Sequence, residues 1–157
     1  AAKTLINQGA DIIVQHTDTF APCQVAQEMG VKAFGQASDQ SRFCPDSQLT
    51  AIIDDWDSYY VQRAKAVEDG TWTSEDAWWG LDKGMVKMAP YTNMDAKTAA
   101  EAEVIQQKLT TGEMHSFEGP IYNQAGELMV AEGEVADDGM LAGMMWYVNG
   151  IEDTIPK

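Results

Sequence analysis

The spacing of apolar residues along this chain switches between the period of helices and that of strands. Ala1, Ala2, Leu5 and Ile6 recur at helical spacing and Gly9 supplies a stop, so the chain opens on a helix. The β-branched run DIIVQ at 11–15 follows at once, as expected of a buried parallel strand. The polar residues His16, Thr17, Asp18 and Thr19 form a loop, and a second helical segment at 21–29 ends at Gly30. VKAFG at 31–35 predicts the next strand. Strand, helix and strand make a βαβ unit.

A polar stretch containing Pro45 leads to a third strand, QLTAII at 48–53, and then to a helix near 58–67 whose Tyr60, Ala64 and Val67 share a face. Residues 72–88 break into short strand-like pieces at Gly80 and Gly84, and 95–109 is a charged, alanine-rich helix stopped at Gly112. The tail carries a hairpin signal, GPIY and ELMVAEG flanking 123–126, and a last amphipathic piece at 140–148. The expected fold is α/β, a mainly parallel sheet flanked by helices.

Length and charge narrow the picture. A chain of 157 residues, 45% of them hydrophobic, suffices for one ordinary domain and is short for two, so a single globular unit is expected. Ten Lys and Arg against 25 Asp and Glu give a formal charge of −15, which repels phosphate backbones and anionic lipid surfaces at long range. The reading is therefore no nucleic acid and no membrane-surface binding. The acidic residues are dispersed among apolar ones, as on a solvated surface, and name no ligand. No run of about 18 apolar residues is present to span a bilayer, and the first residues lack the basic start of a signal. Because the chain opens inside a helical pattern, an N-terminal half, with any signal, is expected ahead of Ala1.

Catalytic and metal signatures are lacking from the sequence. His16 and His115 are the only histidines, and neither sits with Cys or carboxylates at zinc-ligand spacing. There is no GxSxG, no P-loop and no dinucleotide fingerprint. The expectation is a protein without metal, cofactor or catalytic residue.

Three stretches in order, QGADIIVQHTD, GVKAFGQASDQ and TWTSEDAWWGLDKGMVKMAP, resemble the C-terminal half of the basic membrane protein family, and the resemblance covers nearly the whole chain. It implies a two-lobed, type I periplasmic-binding-protein-like receptor of an ABC importer, lipid-anchored or free in the periplasm, with a purine as ligand. On this reading residues 1–157 are the C-terminal portion, the first lobe precedes Ala1, and segments near 50–57 and 80–90 cross between the lobes. The implied partners are a small purine and an ABC permease, with membrane attachment only through a lipid anchor upstream of Ala1. The resemblance also places the ligand against loops at the carboxyl ends of parallel strands, where α/β sheets generally bind ligands. Here those loops are 16–19 and 36–40.

The candidate ligand residues are His16, Thr17, Asp18, Asp39, Asp54 and Trp56. An ionised Asp18 can accept from a purine N–H, an amine or a hydroxyl; equally, Asp18 or Thr19 can cap the helix that begins near Ala21. His16 can donate to a ligand or serve as a packed histidine at a strand end. Trp56, Trp78 and Trp79 offer flat faces for a heterocycle, or pack in the core. Of the family's Gly-x-Asp-x-Asp-Gln motif, this chain keeps Gly35, Asp39 and Gln40 but has Ala37 in place of the first aspartate. In nucleoside-binding relatives that aspartate and a lysine after the third strand hold the ribose, and the lysine position is Asp54 here. Both expected sugar contacts are gone, which favours an adenine-like base over a nucleoside. Asp54 and Asp55 can otherwise cap the following helix.

Cys23 follows the first strand at a helix start and Cys44 lies in the loop after the second, so adjacent parallel strands would bring them close. In the oxidising compartment that the resemblance implies they are expected to form a disulfide, the alternative being two separate buried thiols. Two other functions share the reading: a ligand-sensing domain of a regulator or receptor with the same fold, and an enzyme, which ligand turnover would reveal.

Overall fold

The computed structural model describes residues 1–155, and its strands follow the β-branched runs. Strand β1 (Ile12–Val14) turns Ile13 into the core and leaves Ile12 and Val14 exposed, the alternation a pleat imposes. It is preceded by helix α1 (Ala2–Asn7). Helix α2 (Ala21–Met29) starts with a proline in its first turn, where a missing N–H costs nothing, and stops at Gly30 in the left-handed conformation (φ 73°). Strand β2 (Lys32–Gly35) then pairs in parallel with β1, Ile13 opposite Ala33. This is the expected βαβ unit.

Strand β3 (Gln48–Asp54) pairs in parallel with β2, and its register shifts between Ala33 and Phe34. Strand β4 (Val86–Met88) closes the sheet antiparallel to β3, with Asp54 opposite Val86, so the order is β1-β2-β3-β4 and the sheet is mainly parallel. The buried centre consists of Ile13, Cys23, Ala26, Ala33 and Cys44, with Ile6, Ala10 and Val31 packed against it. Alanine and cysteine dominate it because α2 lies close on the strands. Cys23 and Cys44 are disulfide-bonded there, their Cα atoms 5.8 Å apart.

Helix α3 (Asp57–Glu68) follows β3, and none of its residues is buried. The face expected from Tyr60, Ala64 and Val67 is thus real as a pattern but uncovered, Tyr60 and Val67 both being exposed. The strand-like pieces expected over 72–88 reduce to β4 and a 3-10 turn at Leu81–Lys83. Residues 71–80 form no regular element, since an isolated stretch without a strand partner has no ladder to join. Helix α4 (Ala96–Thr111) is capped by Asp95, whose Oδ1 accepts from the N–H groups of Lys97 and Thr98, both at 3.0 Å.

Where a single unit was expected, the chain divides into two compact ones, residues 1–110 and 111–157. The second contains the hairpin, strands β5 (Ile121–Tyr122) and β6 (Leu128–Val130), paired antiparallel. Asn123 organises its turn, the side-chain Oδ1 accepting from the N–H groups of Ala125 and Glu127 at 2.9 and 3.0 Å. The last amphipathic piece is helical only in α5 (Asp138–Ala142). Gly139 and Gly143 explain the early stop, because each glycine costs a helix about 1 kcal/mol relative to alanine. Val148 instead bridges Asn123 in extended form.

Candidate functional site

Two loops leave the carboxyl ends of the adjacent parallel strands β1 and β2, the position at which α/β sheets bind ligands. The first is held by short-range polar bonds at the surface. The Oε1 of Gln15 accepts from the Thr17 backbone at 2.9 Å, and the Thr19 hydroxyl accepts from the Ala21 N–H at 3.2 Å. Helix α2 receives no side-chain cap from its N-cap residue, Phe20, and Asp18 makes none either. The carboxylate of Asp18 is therefore not committed to the helix, which removes the capping alternative for that residue.

The second loop is built around a buried amide. Gln48, only 1% exposed, donates from Nε2 to Asp39 Oδ1 at 2.8 Å and accepts at Oε1 from the Gln40 N–H at 2.9 Å. Gln40 in turn donates to the Gln36 carbonyl at 3.2 Å, and its Oε1 accepts from the Gln15 side chain at 3.4 Å, linking the loops. Gly35 makes room for this arrangement: a Cβ there would stand 2.7 Å from the Ala51 Cβ and 2.9 Å from the Gln48 Oε1. Ala37 adopts a left-handed backbone (φ 61°), a conformation that costs a non-glycine residue about 1–2 kcal/mol. Its carbonyl is held by the Asp54 N–H at 3.1 Å.

Between the loops lies an open cavity of about 170 Å³ lined by Thr17, Asp18, Thr19, Phe20, Gln36, Ala37, Ser38, Gln40 and Phe43. Of the expected ligand residues, Thr17 and Asp18 thus share one cavity with Ala37, the position that departs from the family motif. His16 belongs to the same loop but does not line the cavity. Asp39 is turned to the protein. The Ser41 N–H at 2.9 Å and the Gln48 amide hold its carboxyl below the ordinary carboxylate range. Asp54 sits at the end of β3, tied by its backbone to Ala37 and outside the cavity lining.

Trp56 belongs to a different neighbourhood. At the start of α3 it stacks on Tyr60 and meets Tyr59 edge-on, ring centroids 5.9 Å apart in both pairs, and Tyr59 meets Trp79 edge-on at 5.4 Å. Trp78 is exposed. Beside this cluster Asp55, not Asp54, supports α3, accepting from the Asp57 N–H at 3.2 Å and forming an ion pair with Lys87 of β4. That pair, led by the side-chain hydrogen bond, holds the Asp55 carboxyl below and the Lys87 ammonium above their ordinary ranges.

Sequence reasoning passed over Phe20 and Phe43. Their rings stack in the cavity wall with centroids 3.8 Å apart and planes 4° from parallel, and the Arg42 guanidinium lies 4.4 Å from the Phe43 centroid. The signal was present as one aromatic at the end of each loop, Phe20 ahead of Cys23 and Phe43 beside Cys44. Among the described residues no group of His, Cys, Asp and Glu comes together as a metal site, and no helix is long and apolar enough to cross a membrane.

Residues 1–124 match the family described as ABC transporter substrate-binding protein PnrA-like (Bmp). The chain is 53% identical over its whole length to a purine-binding protein of Brucella abortus, of which it covers 45%. It is 24% identical, again over its whole length, to a Haloferax volcanii protein named as an ABC transporter glucose-binding protein, of which it covers 38%. Among solved structures, a transcriptional activator of the comK gene from Bacillus halodurans aligns with a TM-score of 0.62 and 18% identity, over 73% of this chain and 41% of that one. At that identity the likeness concerns the fold alone. The chain spans less than half the length of each of these relatives, and its match over residues 1–124 makes it a member of the PnrA-like family of ABC transporter substrate-binding proteins.

Proposed function

We propose that the protein containing this chain is an extracytoplasmic receptor that captures a purine base and delivers it to an ABC permease, without chemical change to the ligand. The observation that carries the base is the cavity between the two strand-end loops, whose lining contains the carboxylate of Asp18 and, at the first motif position, Ala37 instead of a second carboxylate. An ionised carboxylate accepts from the amine or ring N–H that a purine base presents, and alanine offers no acceptor for ribose hydroxyls. The purine-binding relative at 53% identity supports the ligand class.

Thr17 and Asp18 supply the polar contacts on this side. Asp39 acts through the loop it shapes, and His16, Asp54 and Trp56 are proposed to meet ligand where the rest of the protein completes the cleft. Segments 50–57 and 80–90, which include the antiparallel pair β3 and β4, are proposed as the crossings between lobes. A membrane anchor, where present, would lie upstream of Ala1.

Calorimetric titration of the full-length protein with adenine, guanine, adenosine and guanosine tests the reading. A hydrogen bond to a charged group contributes about 1.5–3 kcal/mol, so the absence of both sugar contacts costs a nucleoside at least about a hundredfold in affinity, and bases are expected to bind more tightly than their nucleosides. Nucleosides binding more tightly than bases would refute the choice of ligand. Recovery of a modified purine after prolonged incubation would refute the absence of chemistry.

A further inference from the structure

We infer that Phe43 is the stacking platform for the purine ring in this cavity and that Phe20 is a cover which occupies that platform until ligand displaces it. The inference rests on the purine reading above and adds residues that the family pattern did not supply.

The two rings form a nearly parallel face-to-face pair, centroids 3.8 Å apart at 4°. Two phenyl rings disfavour that geometry, since their like quadrupoles oppose each other, and offset or edge-on pairs are preferred. A purine, whose ring carries polar nitrogens, suffers less from this opposition and presents a larger flat face, so exchange of Phe20 for the base on Phe43 is favourable.

The two phenylalanines differ in how firmly they are held. The Phe43 N–H donates to the Gln40 carbonyl at 2.8 Å, and the next residue, Cys44, is fully buried and disulfide-bonded to Cys23. Phe20 is 40% exposed at the mouth of α2 and its side chain has no cap to make. The face of Phe43 that Phe20 covers is the one a ligand would use, because the Phe20 ring fills it and leaves the Arg42 guanidinium, 4.4 Å from the centroid, to the other face. A cation on the far face fixes Phe43 in place by cation–π attraction. Thr17, Asp18 and Ala37 line the same cavity, so a base on Phe43 has Asp18 within the same walls for its N–H groups.

Adenine titrations of full-length F43A, F43Y, F43L and F20A variants, each checked for folding by thermal melting, test the assignment. Loss of a stacking partner predicts that F43A and F43L bind adenine about tenfold or more weakly, while F43Y stays within about threefold of the native protein. F20A is expected to bind as well as the native protein or better, since the platform is then open. An F20A loss as large as that of F43A, or an unchanged F43A, would overturn the division into platform and cover. If the native protein binds none of the four purines, the proposed function fails instead, independently of the two rings.

Discussion

The two loops of the cavity differ in what holds them, and the difference assigns their roles. Loop 36–43 is anchored from beneath by the fully buried Gln48, pinned at its end by the Cys23–Cys44 disulfide and tied to β3 through Ala37. Its aspartate is held at Oδ1 by the Ser41 N–H and the Gln48 amide and does not line the cavity. Loop 16–19 has only exposed local bonds, and Asp18 caps nothing. On the proposed function, loop 36–43 supplies rigidity and loop 16–19 the ligand-facing carboxylate, whose surroundings are then fixed.

Removing the disulfide should have the largest effect on stability. Reduction, or the C23A/C44A double variant, is expected to lower unfolding stability by about 3 kcal/mol for a loop of this length, read by urea denaturation. Two titratable thiols in the unfolded, unreduced protein would show that the bond does not form. Replacing the buried amide comes next. Gln48→Leu leaves the Gln40 N–H buried without its partner, and a loss of about 2 kcal/mol is expected. A loss confined to a few tenths would break the claim that the second loop is supported from below.

Asp39→Asn should be milder and visible mainly through pH. The folded-state carboxyl titrates below its unfolded value, so its stabilisation is present above the ordinary carboxylate value and is lost as pH falls through the depressed one. The native-minus-variant stability difference should shrink across that acidic window in denaturation series. A difference independent of pH would contradict the proposed bonds to Ser41 and Gln48. Asp18→Asn should have the smallest effect on stability, within about 0.5 kcal/mol as for an exposed site. The same change should weaken adenine binding about tenfold, since it removes a charged acceptor. The reverse result, a large stability loss with unchanged binding, would exchange the roles assigned to the two loops.

The fold was legible where side-chain periodicity decides it. DIIVQ, VKAFG and QLTAII carry β-branched or apolar runs between glycine and polar stops, and α2 lies between a proline and Gly30, so the βαβ unit follows from local rules. The pieces over 72–88 and 140–148 were less legible because their outcome depends on a strand partner and on glycine cost. The candidate cavity lies at the strand ends that the sequence pointed to, and Thr17 and Asp18 line it. The site was not legible in Asp39, whose carboxylate looks free in sequence and is claimed by Gln48 from another strand. Phe20 and Phe43 were missed for a related reason: they meet across loops joined by a disulfide, and no local period records that contact.

The most direct test of the two-loop account is a crystal structure of the full-length protein with adenine bound. The account predicts the base in the cavity of Thr17, Asp18 and Ala37, an N–H of the base donating to the Asp18 carboxylate, and Asp39 still bonded to Gln48 and Ser41. Adenine held by Asp39 with Asp18 turned to solvent, or seated away from both loops, would contradict it.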